Sequence, residues 1–519
     1  MLRQVNPGIG FRFSVFKKEI YLCFFSAFLL ILSFPKSNIE LFAYFGFVPL
    51  FFALRNKSKI RAFLLGCLTG IIFWLGTIYW LVHVTLVGML LLVIYLSLYF
   101  GIFGLIVART ENRKPITGIL FYPSLWVILE YVRSHFLTGF PWALLGYSQY
   151  LNLPVIQVAD ITGAWGVSFL VVMVNSAVYS VIGCRLSVVE KIKKLIIPTL
   201  CVMLTLIYGF YKIHRKPNTE NQTPFKVSVI QGNIPQELKW DARAKEFIMR
   251  KYFDFSTEAL KDKADLLIWP EAALPVALEQ EPEYIERVKD FVKGTGKPLL
   301  LGAVTLREDT YYNSAILVSS KGELSQRYDK IHLVPFGEYI PLRRTLPFLE
   351  SLVPIGDFEA GKEYTVFTLK ARAKNEQVSF SALICFEDVF PELSRQSVKK
   401  GARLLVNITN DAWFKETSAP YQHLQCSVFR AVENRVPLVR AANTGVSAFI
   451  AATGKIISKV AKASRDIFVD GYATKEISIV NNKLSFYTRY GDVFILACLI
   501  YLLSYIGVFA LKNGVYIKK

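Results

Sequence analysis

The chain has 519 residues, 53% of them hydrophobic and 19% charged, a more apolar mixture than soluble domains usually show and long enough for two or three domains. Its net charge of +20 is concentrated near apolar segments: outside residues 213–490 there are 21 Lys and Arg against 7 Asp and Glu, inside them 39 against 33. A basic excess that flanks apolar runs is a membrane-topology signal and argues against a nucleic-acid partner.

Apolar runs fall at about 20–34, 41–54, 62–82, 84–108, 116–132, 163–183, 195–212 and 493–511. Several reach the ~20 residues needed to cross a ~30 Å hydrocarbon core. No small-x-small cleavage site follows the first, so it reads as a retained helix rather than a signal peptide. With the N-terminus inside, 18 basic residues lie in cytoplasmic segments, among them Arg55, Lys57, Lys59 and Arg61, whereas only Lys36, Arg133 and Lys212 flank the opposite ends. This pattern predicts a membrane domain of seven transmembrane helices over 1–212, an extracytoplasmic domain over 213–490, and an eighth helix with a cytoplasmic tail over 491–519.

From Phe225 the texture changes to short β-branched runs (KVSVIQ, DLLIWPE, PLLLGAV, VSFSALICFED, ARLLVNITND). Helix-like stretches at 241–262, 283–294, 391–400 and 420–435 separate several of them. Such alternation predicts an α/β domain with buried sheets. Three polar clusters stand where an apolar strand ends: Glu271 after LLIWP, Cys385 after SALI, and Asn410 with Asp411 after LLVNIT. Strand ends are where open α/β sheets collect ligands.

A thiol is mostly protonated near neutral pH, so a nucleophilic Cys385 needs a base or a cation beside it. Glu271, set between Pro270 and the apolar AALP stretch, offers a partly buried base. Lys330 offers a fixed positive charge for a thiolate or an oxyanion, with the backbone N–H of Phe386 as a second donor. His332 is the histidine nearest a candidate motif. The seven cysteines include no CxxC pair and the five histidines are scattered, so no metal site is expected. A disulfide between Cys385 and Cys426 would disable the nucleophile.

The segments WPEAALP, YDKIHLVPFGEYIP and LICFEDVFPEL resemble those that carry the Glu–Lys–Cys triad of the nitrilase (carbon–nitrogen hydrolase) superfamily. The resemblance covers about residues 225–472. It implies an αββα sandwich in which Glu271 is the proton acceptor, Lys330 the oxyanion stabiliser and Cys385 the acylated nucleophile. A nitrilase-like domain between a seventh and an eighth span further resembles the bacterial apolipoprotein N-acyltransferase family. IPQELKW ending at Trp240, GEY with Glu338, NITNDAWF with Trp413, YQHLQ and RAANTGVSA agree with it.

That resemblance implies a multi-pass protein of the bacterial inner membrane, its catalytic domain periplasmic. Cys385 takes an acyl chain from a membrane phospholipid, typically phosphatidylethanolamine. It passes the chain to the α-amino group of the S-diacylglyceryl cysteine of an apolipoprotein. No cofactor is required. Glu338 is either a proton-transfer partner or a salt bridge to Lys330, and Glu387 either orients the site or pairs with an arginine. Phe386 stands where many relatives carry tyrosine, and Lys415 where glycine is expected. Trp240 and Trp413 are candidates to line an acyl or headgroup path, with core packing the ordinary alternative. The basic and apolar segment 342–356 suggests a bilayer-contacting lid. Two other readings share these features: a membrane-tethered amidase acting on a small amide, and a non-catalytic lipoprotein-binding scaffold.

Overall fold

The computed structural model describes residues 7–111, 118–183, 187–215, 222–340, 358–372, 376–481 and 483–512; the expected lid at 342–356 lies outside them. The chain divides into two compact units, Met1–Tyr211 with Asp492–Lys519, and Lys212–Gly491.

The first unit is helical. Among the described residues four helices are long and apolar enough to cross a membrane, Lys59–Thr77, Leu86–Thr110, Ala164–Gly183 and Val188–His214, against the eight spans expected. The apolar run at 41–54 accounts for part of the difference. It divides into a 3-10 turn, Glu40–Tyr44, and the eight-residue helix Phe47–Leu54, whose length of about 12 Å is too short to span alone. Helix Gly118–His135 carries buried Glu130 and Arg133, and the last apolar helix runs Val493–Lys512, 20 residues. Packing inside this unit uses small residues: a Cβ at Gly66 would meet the Phe100 carbonyl oxygen at 2.4 Å, so glycine lets two helices approach to backbone contact. Asn175 accepts from Phe47 N at 2.8 Å and donates to Ala43 O at 2.8 Å, satisfying backbone groups at the start of the short helix. Leu200, Leu204, Ile207 and Phe210 on helix Val188–His214 are exposed, an apolar face suited to lipid.

The second unit is built from two six-stranded sheets. The first contains β1 (Gln222–Gln231), β2 (Leu266–Ile268), β3 (Leu299–Arg307), β4 (Thr310–Val318), β5 (Leu324–Asp329) and β12 (Gly471–Val480), in the order β12-β1-β2-β3-β4-β5. The second contains β6 (Phe367–Lys370), β7 (Gln377–Ile384), β8 (Leu404–Thr409), β9 (Leu438–Ala442), β10 (Ala448–Ile450) and β11 (Ile456–Lys459), in the order β11-β10-β9-β8-β7-β6. The strands β1–β3 run parallel, as do β7–β9. Alternate residues of the two sheets, Val227, Val229, Leu266 and Ile268 from one and Phe380, Ala382, Val406 and Ile408 from the other, meet in one fully buried core. On the outer face of the first sheet, Trp269, Leu299 and Leu301 pack with Met249 and Tyr252 of helix Lys245–Ala259 and Val288 of helix Pro282–Thr295. Helices Pro391–Lys399 and Ala419–Asn434 pack on the second sheet. All four expected helical stretches therefore form, and the layers are helix, sheet, sheet, helix.

Candidate active site

The parallel strands bring their carboxyl ends to one place. Cys385 follows β7 directly and takes φ +52°, a left-handed conformation that costs a non-glycine residue about 1–3 kcal/mol. A 3-10 turn, Cys385–Val389, begins there, so the strand breaks sharply at the thiol. The turn is held by Glu387, whose carboxylate accepts from Ile384 N (2.7 Å), Ile331 N (2.7 Å), His332 N (3.1 Å) and the Tyr328 hydroxyl (2.8 Å). No arginine pairs with it among the described residues; it orients the turn and ties it to the Lys330 segment. Burial pushes its carboxyl up to about 7, although Ile384 N, Lys330 and its other donors pull the other way.

Glu271 enters beyond β2 through Trp269 and Pro270. A Cβ at Gly302 of β3 would lie 2.6 Å from the Glu271 Cα, so glycine is what admits this segment so close to the sheet. Glu271 is 7% exposed and Lys330, which follows β5, is 1% exposed. Lys330 Nζ lies 2.9 Å from Glu338 and 3.8 Å from Glu271 Oε1. Asn313 of β4 donates to both carboxylates, at 2.8 Å to Glu271 and 2.9 Å to Glu338. Glu338 also accepts from Val334 N at 2.8 Å. Burial alone would lower the lysine; Glu338, then Glu271 and Cys385, hold its ammonium well above the ordinary range. The Cys385 thiol is pushed strongly up, first by burial and then by Glu271, with Lys330 opposing. A thiol in that setting rests protonated and needs a base to take its proton; of the two carboxylates that act on it, Glu271 acts more strongly than Asp411.

Beneath Cys385 lies a second polar network, of which sequence reasoning singled out only Asp411. His423 Nε2 is 3.2 Å from the Cys385 carbonyl oxygen and 2.7 Å from Asp388 Oδ1, while its Nδ1 is 2.9 Å from Asp411 Oδ1. Arg440 reaches Asp388 at 2.9 Å, Asp411 at 3.1 Å and Asn407 at 2.8 Å, and Asn407 donates to the Cys385 carbonyl at 3.1 Å. Against burial and Arg440, which both lower it, Asp388 and Asp411 carry His423 up to about 9. One signal was present in the sequence: an arginine inside the apolar strand LVRAA must be paired when that strand is buried.

The remaining candidates fall on the margin. Trp240 and Trp413 are 51% and 53% exposed, so neither is a core residue. Phe386 packs edge-on against Phe390, 5.2 Å between ring centres. His332 lies against Phe390 at 3.7 Å and is brought down to about 4 by burial and Lys330, which leaves it neutral. Cys385 and Cys426 are free thiols. Lys415 takes φ +52°, the conformation for which glycine was expected there.

Two α/β sheets packed face to face, with Glu, Lys and Cys at converging strand ends, define the carbon–nitrogen hydrolase class, and residues 226–474 match the Carbon-nitrogen hydrolase family model. Residues 26–177 match the Apolipoprotein N-acyltransferase N-terminal domain. An apolipoprotein N-acyltransferase of Geobacter metallireducens is 42% identical over 503 residues, covering 93% of each chain. Another from Pasteurella multocida is 30% identical, covering 85% of this chain and 88% of its own. Among solved structures, an amidase of the nitrilase superfamily from Nesterenkonia is 19% identical, covers 51% of this chain and 93% of its own, and gives a TM-score of 0.38. The chain belongs to the apolipoprotein N-acyltransferase family: it is a membrane protein and an acyltransferase of the nitrilase superfamily.

Proposed function

We propose that the chain transfers a fatty acyl group from a membrane phospholipid, through a thioester on Cys385, to the α-amino group of a diacylglyceryl-modified lipoprotein. Phosphatidylethanolamine is the proposed donor. Seven spans before residue 213 and one after residue 490 hold the catalytic domain on the periplasmic face of the inner membrane in this reading. The observation that carries it is the juxtaposition of Glu271, Lys330 and Glu338 beside the half-buried Cys385 thiol, with Lys330 Nζ 2.9 Å from one carboxylate and 3.8 Å from the other.

In the first half-reaction Glu271 takes the Cys385 proton as sulfur attacks the ester carbonyl. Lys330 and the backbone N–H of Phe386 stabilise the oxyanion. Collapse breaks the ester C–O bond, and the departing lysophospholipid oxygen receives the proton from Glu271. In the second, the neutral α-amine attacks the thioester carbonyl, its proton passes to Glu271, and the C–S bond breaks. The sulfur recovers that proton. Both substrates carry lipid chains, so a catalyst held in the same bilayer shortens the search for each. Trp240 and Trp413, both half-exposed, are the proposed lining of the lipid path.

The test is transfer of label from acyl-labelled phosphatidylethanolamine to a diacylglyceryl-cysteine peptide by the purified full-length protein in detergent. Label is expected in amide linkage at the peptide N-terminus, and Cys385→Ala should abolish it. Label that stays on phospholipid, with ammonia released from small amides instead, would support a tethered amidase.

A further inference from the structure

Lys239 stands in the segment after β1, one residue before Trp240, and is 4% exposed. Its ammonium donates to the Glu271 carbonyl oxygen at 2.9 Å, and among the described residues no carboxylate forms an ion pair with it. A buried ammonium with three donors and one carbonyl acceptor is costly unless charge nearby compensates it. The compensating charge is the site itself. Glu271 and Glu338 bring two negative charges to the pocket and Lys330 one positive charge, which leaves one carboxylate unbalanced before any thiolate or oxyanion forms.

We infer that Lys239 is a positioning residue for the nucleophile: its ammonium supplies the missing positive charge of the Glu271–Lys330–Glu338 cluster and its hydrogen bond fixes the Glu271 backbone. The inference rests on Cys385 acting as the nucleophile and Glu271 as its base. With Lys239 charged, two ammoniums face two carboxylates, and moving the proton from Cys385 to Glu271 leaves the cluster neutral. Without it the same proton transfer leaves the cluster, thiolate included, with one net negative charge. The backbone it holds needs holding, since Ala272, the next residue, takes φ +44°. Burial lowers the Lys239 ammonium to about 8, and the groups that pull it back up are Glu271 and Cys385.

Alkylation of Cys385 by iodoacetamide, read by peptide mass spectrometry on the full-length protein at pH 7, where Lys239 is charged, tests this without any lipid substrate. Lys239→Met should slow alkylation by about three- to tenfold, because losing a cation near a thiolate raises its pKa by ~1 unit while the remaining thiolate becomes somewhat more nucleophilic. Lys239→Arg should recover most of the rate. A merely structural lysine would lower the melting temperature and leave the reactivity of the folded protein unchanged. Wild-type reactivity in folded Lys239→Met overturns the inference. If that variant does not fold, Lys239→Gln, which keeps a donor but no charge, decides it by the same criterion. A wild-type Cys385 no more reactive than buried Cys426 would overturn the nucleophile reading and this inference together.

Discussion

The two sheets deliver two charged clusters to the neighbourhood of Cys385, and the clusters are made differently. Elements of the first sheet supply Glu271, Asn313, Lys330, Glu338 and Lys239. Elements of the second supply Asp388, Asn407, Asp411 and Arg440, with His423 from the helix that packs on it. Each has two carboxylates and two cations. The second cluster is closed: Arg440, Asp388 and Asp411 are fully buried, His423 is nearly so, and the arginine meets five side chains, Asp388, Asn407, Ser427, Asp411 and His423. The first is looser, with its two carboxylates 7% and 9% exposed and a lysine 3.8 Å from the base. Arginine's planar fork locks a geometry, whereas lysine's point charge tolerates rearrangement. Equal charge balance thus serves rigidity on one side of Cys385 and, in the proposed reaction, proton movement on the other.

Substitutions can separate these roles, and the largest expected effect is at the base. Glu271→Gln should reduce acylation of Cys385 by about 10²–10⁴-fold, with the melting temperature nearly unchanged; single-turnover labelling and thermal denaturation read the two quantities. Arg440→Met should do the reverse. Removing one partner of a buried ion network costs about 3–5 kcal/mol, and in a domain of this size that lowers the melting temperature by about 10 °C, with a much smaller loss of thiol reactivity in the folded molecules than Glu271→Gln causes. A smaller effect follows from His423. Its folded pKa is raised to about 9 from the ordinary 6.5, so the stability it contributes is complete below pH 6.5 and lost as pH rises through 9. Melting temperature should fall between pH 8 and 10 in the wild type and less steeply in His423→Gln. The smallest change is expected at the rim: Trp240→Ala and Trp413→Ala should alter stability by no more than about 0.5 kcal/mol, while raising the KM for phospholipid.

How much of this was legible in the sequence follows the same division. Glu271, Lys330 and Cys385 each end a strand within a distinctive segment, and local pattern was enough to pick them out. Glu338 and Glu387 were legible as candidates, although only the fold shows that one grips Lys330 and the other accepts three backbone N–H groups and a tyrosine hydroxyl. Asn313, Lys239 and His423 were not singled out, because their partners lie 12 or more residues away and no local period marks them. The helical unit departs from its hydropathy in a different way. Hydropathy along 41–54 is that of a span, but Asn175, more than 100 residues later, takes up the backbone groups that start a helix of only eight residues. Composition measures how apolar a run is and says nothing about where tertiary contacts end it.

The central claim is that Cys385 carries the acyl group. Purified full-length protein incubated with phosphatidylethanolamine of defined chain length, without acceptor peptide, should gain the mass of one acyl chain. That mass should map to the Cys385 peptide, be released by neutral hydroxylamine, and disappear when a diacylglyceryl-cysteine peptide is added. Transfer of the chain to the peptide by Cys385→Ala, or an adduct found on another residue, would contradict the account.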